Sequence, residues 1–561
     1  MKHTSLYLLP LLWLSFSACS KKSDAPIPID AAVVLHIDGA RISEKLPWSE
    51  VKKSPWFQQA TENAEGDSLF TVILNDPSQS GLNLAGNGWI FLTNKGKGAY
   101  SAFVWDLSDA KAFEALIKKT APDAKIRQNG SNQYLAEGTM ALVWNKKRVM
   151  ALSDASEINR DLNSLTPGNE GDQEGSLDDI EEPFSFSADS LVQIALEIQD
   201  LKSDQKLSHD DTFADLIGNK GDVHFWFNIG KVYNNSLAGS LLSLSKLSAL
   251  TEGNISTATV NFNEGAIDVE SKGYVGKELE ALYKKYPAKN FDENALRGIA
   301  SNNMNLAFIM NYPPDGIKAF LTLLGVDGLV NNYMQEIGFS MDTFIQANGG
   351  NLFFTLSDFQ VKKTTKTFEG FDGEPMTYED EEPGGKLLFG VEVNQRPAFD
   401  KMVNVFKKLL GQANLQEGEL GKVPYVIKDK WFLAGNDSAQ LKTYGAQKSD
   451  PAFLDRIKGH PVGLYVNISS FLQASLTEME ESMEKSLAEL SLKFWKDLTL
   501  SGGEFKNGAT TSHIKISLGD PKRNSLQSLN QYLGDIARLI KEDEARRKKE
   551  WESEEVPALA D

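Results

Sequence analysis

The chain has a single cysteine in 561 residues, Cys19, so an intramolecular disulfide framework and a multi-cysteine metal site are both excluded. Histidine is scarce. His3, His36, His209, His224, His460 and His513 form no HExxH and no closely spaced cluster of the kind zinc needs. Positive charge is outnumbered, 58 Lys and Arg against 77 Asp and Glu, and a net charge of -19 argues against nucleic acid as a partner and against attraction to an anionic surface. Beyond the N-terminus no run is apolar for long enough to cross a bilayer. The sequence also lacks a G-x-S-x-G elbow, a Walker A loop and a dinucleotide fingerprint; the stretch Gly81 to Gly88 is glycine-rich but misses the Rossmann spacing.

What is present begins with MKHTSLYLLPLLWLSFSAC. A basic head of Lys2 and His3 precedes an apolar run, Leu6 to Phe16, which is too short to span a membrane but suits the core of a secretory signal. Ser17-Ala18 place small side chains directly before Cys19, and this ending resembles the bacterial lipobox, with Phe16 where Leu is usual. The expectation is a signal peptide over 1–18, diacylation of Cys19 and a short tether over 19–30. An acylated cysteine supplies the more than one chain that stable anchoring requires, at roughly 0.8 kcal/mol per buried CH₂.

The remaining length exceeds what one hydrophobic core usually serves, and 41% hydrophobic and 10% aromatic residues suffice for substantial cores. AAVVLHID over 31–38 reads as a buried strand, followed by a helix carrying Ile42, Leu46, Val51 and Phe57. Strands are expected at 69–74, 88–93, 99–107, 133–135, 139–144 and 148–153, with a helix at 110–120 capped by Ser108-Asp109. Residues 168–183 read as an exposed linker, 230–248 as helical, and 255–274 as a hairpin turning near Asn263-Glu264-Gly265.

From about residue 290 the grammar restarts. FVWDLSDAKAFEALIKK is echoed by FGVEVNQRPAFDKMVNVFKK: in each, Ala-Phe opens a helix that carries Lys-Lys. FADLIGNKGDVHFWFN is echoed by FLDRIKGHPVGLYVN, and each is followed by a helix and a hairpin, the second turning at Asn507-Gly508. The order of elements therefore points to a divergent internal duplication, with a first unit over 31–285, a second over 286–541 and a charged tail over 542–561. Clustered hairpins with helices in both copies favour an α+β fold, in which two related layered units have mainly antiparallel sheets and packed helices.

The lipobox, the IPIDAAVVLHID opening and the repeated strand-to-helix units resemble the large Bacteroidota lipoproteins grouped as domain of unknown function 4836. The resemblance implies outer-membrane lipoprotein character and a two-part α+β fold. It implies no catalytic residues, since that family has no established activity to carry across.

Candidate sites are few. His36 and His224 alternate within strand patterns and read as sheet side chains rather than metal ligands. Acidic stretches at 172–182 and 369–382 offer oxygen ligands. The second, expected as a loop insertion in the second unit, supplies Glu369, Asp372, Glu374, Glu379, Asp380, Glu381 and Glu382, but without the spacing of a calcium loop. A solvated surface able to recruit basic partners fits it better. Asn228, Asn311 and Asn467 each end a strand, where capping and Asx-turns account for them. No cofactor is expected. The reading is a lipid-anchored outer-membrane protein with a non-enzymatic binding or accessory role in the envelope, attached to the membrane through Cys19 and able to meet an envelope protein or glycan. The alternative is a glycan-active or glycan-binding lipoprotein.

Overall fold

A computed structural model describes residues 25–62, 76–156, 184–233, 250–301, 303–369, 375–409, 423–446, 448–477 and 482–554, together with 73, 248, 419–420 and 479. Cys19, the signal and most of the tether, the 168–183 linker, Asp372 and Glu374 lie outside these residues, as do most of the strand expected at 69–74 and most of the helix expected at 230–248.

Among the described residues nineteen strands form one sheet, and every pairing in it is antiparallel. In chain order they begin with β1 (Ala31–Asp38), β2 (Asn87–Lys95), β3 (Gly98–Asp106), β4 (Arg127–Asn129), β5 (Asn132–Glu137), β6 (Met140–Trp144) and β7 (Arg148–Asp154). Then come β8 (Val223–Asn228), β9 (Ile255–Asn263), β10 (Ala266–Tyr274), β11 (Met304–Asn311), β12 (Asn348–Glu369) and β13 (Pro375–Val393). The last are β14 (Glu419–Leu420), β15 (Val423–Lys428), β16 (Trp431–Gly435), β17 (Val462–Val466), β18 (Trp495–Lys506) and β19 (Ala509–Leu518).

The pairings place β1 between β2 and β8, with β3, β7, β6, β5 and β4 beyond β2 and with β9 and β10 beyond β8. They place β11 between β12 and β17, with β13, β16, β15 and β14 beyond β12 and with β18 and β19 beyond β17. Among the described residues the two sets of strands meet only at β10 and β19.

Local sequence explains the elements. β1 alternates buried and half-buried side chains, as a strand covered on one face should. The helix Ala110–Thr120 starts where Asp109 accepts hydrogen bonds from the Lys111 and Ala112 amides at 2.8 and 3.1 Å. The helix Ala188–Gln199 buries Leu191, Ile194, Ala195 and Ile198, at the spacing of one helical face, against the sheet. The β18–β19 turn has Asn507 at φ 53° and Gly508 at φ 80°, the two left-handed residues that a tight hairpin of this twist demands.

The main core of the first half gathers Trp89, Phe91, Val143, Leu152, Phe213 and Trp226, with Phe213 edge-on to Trp226 at 6.2 Å. In the second half Phe353, Leu433, Leu454 and Tyr465 play the same part, and Phe453 stacks on Tyr465 at 4.2 Å. The two Ala-Phe helices bury Phe113 and Phe399 against Trp144 and Phe432 respectively.

Helices also cross from one half to the other. The C-terminal helix Ser525–Glu554 lies on the helix Pro55–Glu62, where Asn530 Oδ1 accepts from Ser54 Oγ and Trp56 Nε1, both at 2.8 Å. Tyr283 stacks on Phe505 at 5.1 Å.

Three expectations change. The helix expected across 42–57 is three short ones, Gly39–Lys45, Trp48–Val51 and Pro55–Glu62, because Pro47 and Pro55 interrupt it. The single helix expected between FLDRIKGHPVGLYVN and the hairpin at Asn507-Gly508 is divided into Ile468–Leu476 and Met483–Phe494. The acidic stretch expected as a loop is ladder: Gln360 to Glu369 of β12 pair with Gly384 to Pro375 of β13, making a two-stranded ribbon. Threonine and lysine on β12 face the acids of β13, so the ladder gains opposite-charge cross-strand pairs that a free loop would lack.

Candidate functional site

A cavity of about 540 Å³ opens in the first half beside the central strand β1. Its walls include His36, Asp38 and Arg41 from β1 and the helix after it, Asn87 and Trp89 from β2, and Asp106 of β3. Arg148 of β7, residues 217–221 and His224 of β8 complete them, with Ala25 and Pro26 at one side.

Sheet register builds the site. On β1, His36 stands opposite Trp89 of β2 on one side and opposite His224 of β8 on the other. Both histidines are buried, at 5% and 3% exposure. The His36 ring stacks on Trp89 with centroids 4.0 Å apart. Its Nδ1 lies 3.0 Å from Nδ1 of His224, and its Nε2 lies 2.9 Å from Oδ1 of Asn87. His224 Nε2 reaches the carbonyl oxygen of Asn219 at 3.0 Å. Asn219 caps the C-terminal end of the helix Asp211–Gly218, so that helix fixes the far end of the chain of contacts.

Burial is the main force on both imidazoles. It lowers His36 from 6.5 to about 4, against the opposing pull of the Asn87 hydrogen bond and of the Asp38 and Asp106 carboxylates. Burial lowers His224 as well, against the Asn219 carbonyl. The pair is therefore uncharged at neutral pH, and the formal charges around the cavity belong to Asp38, Asp106, Arg41, Arg148 and Lys220.

Several of these groups already have work in the fold. Asp38 caps the helix Gly39–Lys45 by accepting from the Arg41 amide at 3.1 Å. Asp106 accepts from the Asn87 amide at 2.9 Å. Arg41 donates from Nε to the fully buried Asp222 at 2.9 Å and from Nη2 to Asn261 at 3.2 Å. Asp222 also receives Lys45 and the Phe262 amide. A carboxylate with no solvent access is thereby matched by two cations and an N–H, which holds the helix Gly39–Lys45 over the ends of β8 and β9. The rigid frame leaves Asn87, itself exposed, as the link between the buried histidines and the open space.

The same sheet position in the second half is apolar. Ile309 of β11 stands opposite Phe353 of β12 and Gly463 of β17, and Ile309 and Phe353 are fully buried. A Cβ on Gly463 would come within 2.9 Å of Phe291 and 3.1 Å of Ile457, so packed side chains occupy the ground beside it.

The acidic residues singled out in the sequence lie elsewhere, on the ribbon. Lys366 pairs with Asp380 and, at 3.3 Å, with Glu382; Lys363 reaches Glu379 at 3.9 Å. Glu369 pairs across the ladder with Pro375, and Glu381 with Lys363. Among the described residues no group of three or more His, Cys, Asp or Glu side chains is placed to hold a metal ion. His460 is bound to Glu504, and His513 lies in β19. The strand-end asparagines act as caps and turn formers: Asn467 accepts from the Ser470 amide at 3.1 Å, Asn228 from Lys231 at 3.0 Å and Asn311 from Lys289 at 2.8 Å.

Reading His36 and His224 as sheet side chains misses that they meet. Both occupy inward positions of the alternation, Val34-x-His36 and His224-x-Trp226, and that polar choice on a buried face is the signal the sequence offered.

By class the protein is a mixed α+β protein with one large antiparallel sheet and packed helices. Residues 25–162 match the sequence model of domain of unknown function 4836, a segment running from the wall of the cavity through β7, so the resemblance to that domain holds over that segment. No curated protein matches the chain. Among solved structures, crystal form III of TP0453 is similar over 47% of this chain and 89% of its own, with 10% identity and a TM-score of 0.24. Crystal form IV of TP0453 is similar over 49% and 91%, with 9% identity and a TM-score of 0.24.

Proposed function

We propose that this is an envelope lipoprotein, held at the outer membrane by acyl chains on Cys19, that binds a small polar molecule or envelope component in its first half without transforming it. The observation that carries the binding role is the open polar cavity around Asn87, His36 and Asp106, set against the packed apolar ground at Ile309 and Gly463. The anchor rests on the SFSAC ending of the apolar N-terminal run. Among the described residues no helix is long and apolar enough to cross a membrane. The matching order of strands about β1 and β11 supports descent from a duplicated unit in which the ground beside Ile309 is packed, while the second half opens a cavity of about 570 Å³ elsewhere, beside Arg456, Tyr465 and Asp497. The ribbon bearing Glu379 to Glu382 reads as an insertion in the second copy and as a surface for basic partners.

A glycan ligand would call for an aromatic face. Asp38 and Asp106 do line the cavity, but Trp89 is 5% exposed and covered by His36, which favours a ligand held by hydrogen bonds and charge over one stacked on a ring. Cell fractionation with Cys19→Ala tests the anchor: the variant is expected in the soluble fraction, and retention in the membrane would refute lipid attachment. A thermal-shift panel of small polar metabolites on wild type and Asn87→Ala tests the cavity. Stabilisation of the wild type that Asn87→Ala loses supports it, and equal shifts in both proteins overturn it.

A further inference from the structure

The cavity of the proposed binding role ends on a proton chain whose bookkeeping is closed. The Asn219 carbonyl can only accept, so His224 must carry its proton on Nε2, and in its neutral form its Nδ1 is a bare acceptor. The 3.0 Å contact then requires a proton on Nδ1 of His36. A neutral His36 has none left for Nε2, so at that end it must receive a hydrogen bond, and Asn87 has to offer its NH₂. A His36 that is also protonated at Nε2 must donate there, and Asn87 has to offer Oδ1, the arrangement in which Oδ1 stands 2.9 Å away. Any other assignment sets two lone pairs or two protons against each other inside a site where both rings are buried.

We infer that Asn87 is the polarity-setting residue of the cavity, turning its side-chain amide by half a rotation when His36 gains or loses a proton. With His36 neutral, the Asn87 carbonyl oxygen faces the cavity and the site takes a hydrogen-bond donor, such as an ammonium or hydroxyl group. With His36 protonated, the NH₂ faces outward and the site takes an acceptor, such as a carboxylate. This rests on the cavity being the binding site, but the amide rotation itself needs no ligand.

The charged and titratable groups around the pair come from every neighbouring element. Asp38 follows His36 on β1, and Arg41 lies on the helix beyond it. Asp106 and Arg148 stand on β3 and β7, Lys220 lies in the turn before β8, and Asp222 lies just before that strand. Asp38 and Asp106 favour the proton on His36. Burial and the neighbouring His224 oppose it, and Arg41 acts against a proton on His224.

The test is ¹⁵N-histidine and side-chain amide NMR on the full chain as a function of pH, without ligand. At pH 7 the expected pattern is Nδ1–H for His36 and Nε2–H for His224, with the Asn87 amide signals moving in the same step in which His36 titrates. Asn87→Asp, whose carboxylate can only accept, is expected to raise the His36 midpoint by ~1–3 pH units, while Asn87→Leu does not raise it. Two Nε2–H tautomers at neutral pH, an Asn87 amide that ignores the His36 titration, or an unmoved midpoint in Asn87→Asp would each overturn the inference. Failure of the metabolite panel with these NMR signatures intact would refute the binding role alone.

Discussion

Glu270 and His513 face each other across the join of β10 and β19, at the midpoint of a ladder running from Ala266↔Ser517 to Tyr274↔Ala509. Each is the fifth residue after a hairpin glycine with positive φ, Gly265 and Gly508. Corresponding residues of two like hairpins thus meet at one point, which is the geometry of a local two-fold axis. The join also makes β10 and β19 interior strands, since β9 and β18 flank them on their other sides.

Interior strands exchange their amide protons slowly. In hydrogen–deuterium exchange, residues 266–274 and 509–518 are expected to be protected to the level of β1 and β11, while the edge strand β4 exchanges early. Early exchange across 266–274 and 509–518 together would mean that the two halves do not share a sheet.

The buried His36 sets a pH dependence. Its folded pKa of about 4 lies below the ordinary 6.5, so between these values the unfolded chain binds the proton and the folded one does not. Stability is therefore expected to fall as pH drops from about 6.5 to about 4, by roughly 3 kcal/mol from this group, and to level off below that. Urea unfolding at pH 7 and pH 4 should show a loss smaller by about that amount in His36→Leu. Parallel losses in the two proteins would show that His36 is not held neutral.

Two aspartates with lysine partners are expected to behave differently. Asp222 is fully buried and holds Arg41, Lys45 and the Phe262 amide, so Asp222→Ala leaves two cations without their partner and should cost on the order of 3–5 kcal/mol. Asp380 meets Lys366 on the solvent-exposed ribbon, and Asp380→Ala should leave the unfolding midpoint where it is. Similar midpoints for the two variants would contradict the burial contrast.

What could be read in advance follows the range of the interactions. Phe113 and Phe399 were legible because each follows an Ala at the opening of a helix that ends in Lys-Lys, and the cap at Asp109 is set by its immediate neighbours. The hairpin at Asn507-Gly508 is equally local. The His36–His224 contact joins positions 188 residues apart through strand order, and alternation within a strand says nothing about which strand will lie alongside. The buried Asp222 escaped notice for the same reason: its partners come from the helix after β1 and from β9. The acidic ribbon was misjudged as a loop because charge suggested solvent, whereas the lysines and threonines that make it a strand stand on the opposite side of the turn.

That correction alters how the ribbon should be removed. Cutting only its second strand would leave Gln360 to Glu369 without ladder partners, exposing a row of backbone donors and acceptors next to β12. Beyond the irregular register at Ser357 to Gln360, no third strand among the described residues pairs with either arm: β11 reaches β12 only as far as Ser357, and β16 reaches β13 only from Leu388 onward. Replacing residues 360–384 with a short turn should therefore keep the sheet, because Phe353, Leu388 and Leu433 of the core all lie before or after the excised span. The expected result is one cooperative unfolding transition with an unchanged midpoint and loss only of partners that bind the acidic face. A broadened or lowered transition would mean that the ribbon packs on the fold and is part of the core around Phe353.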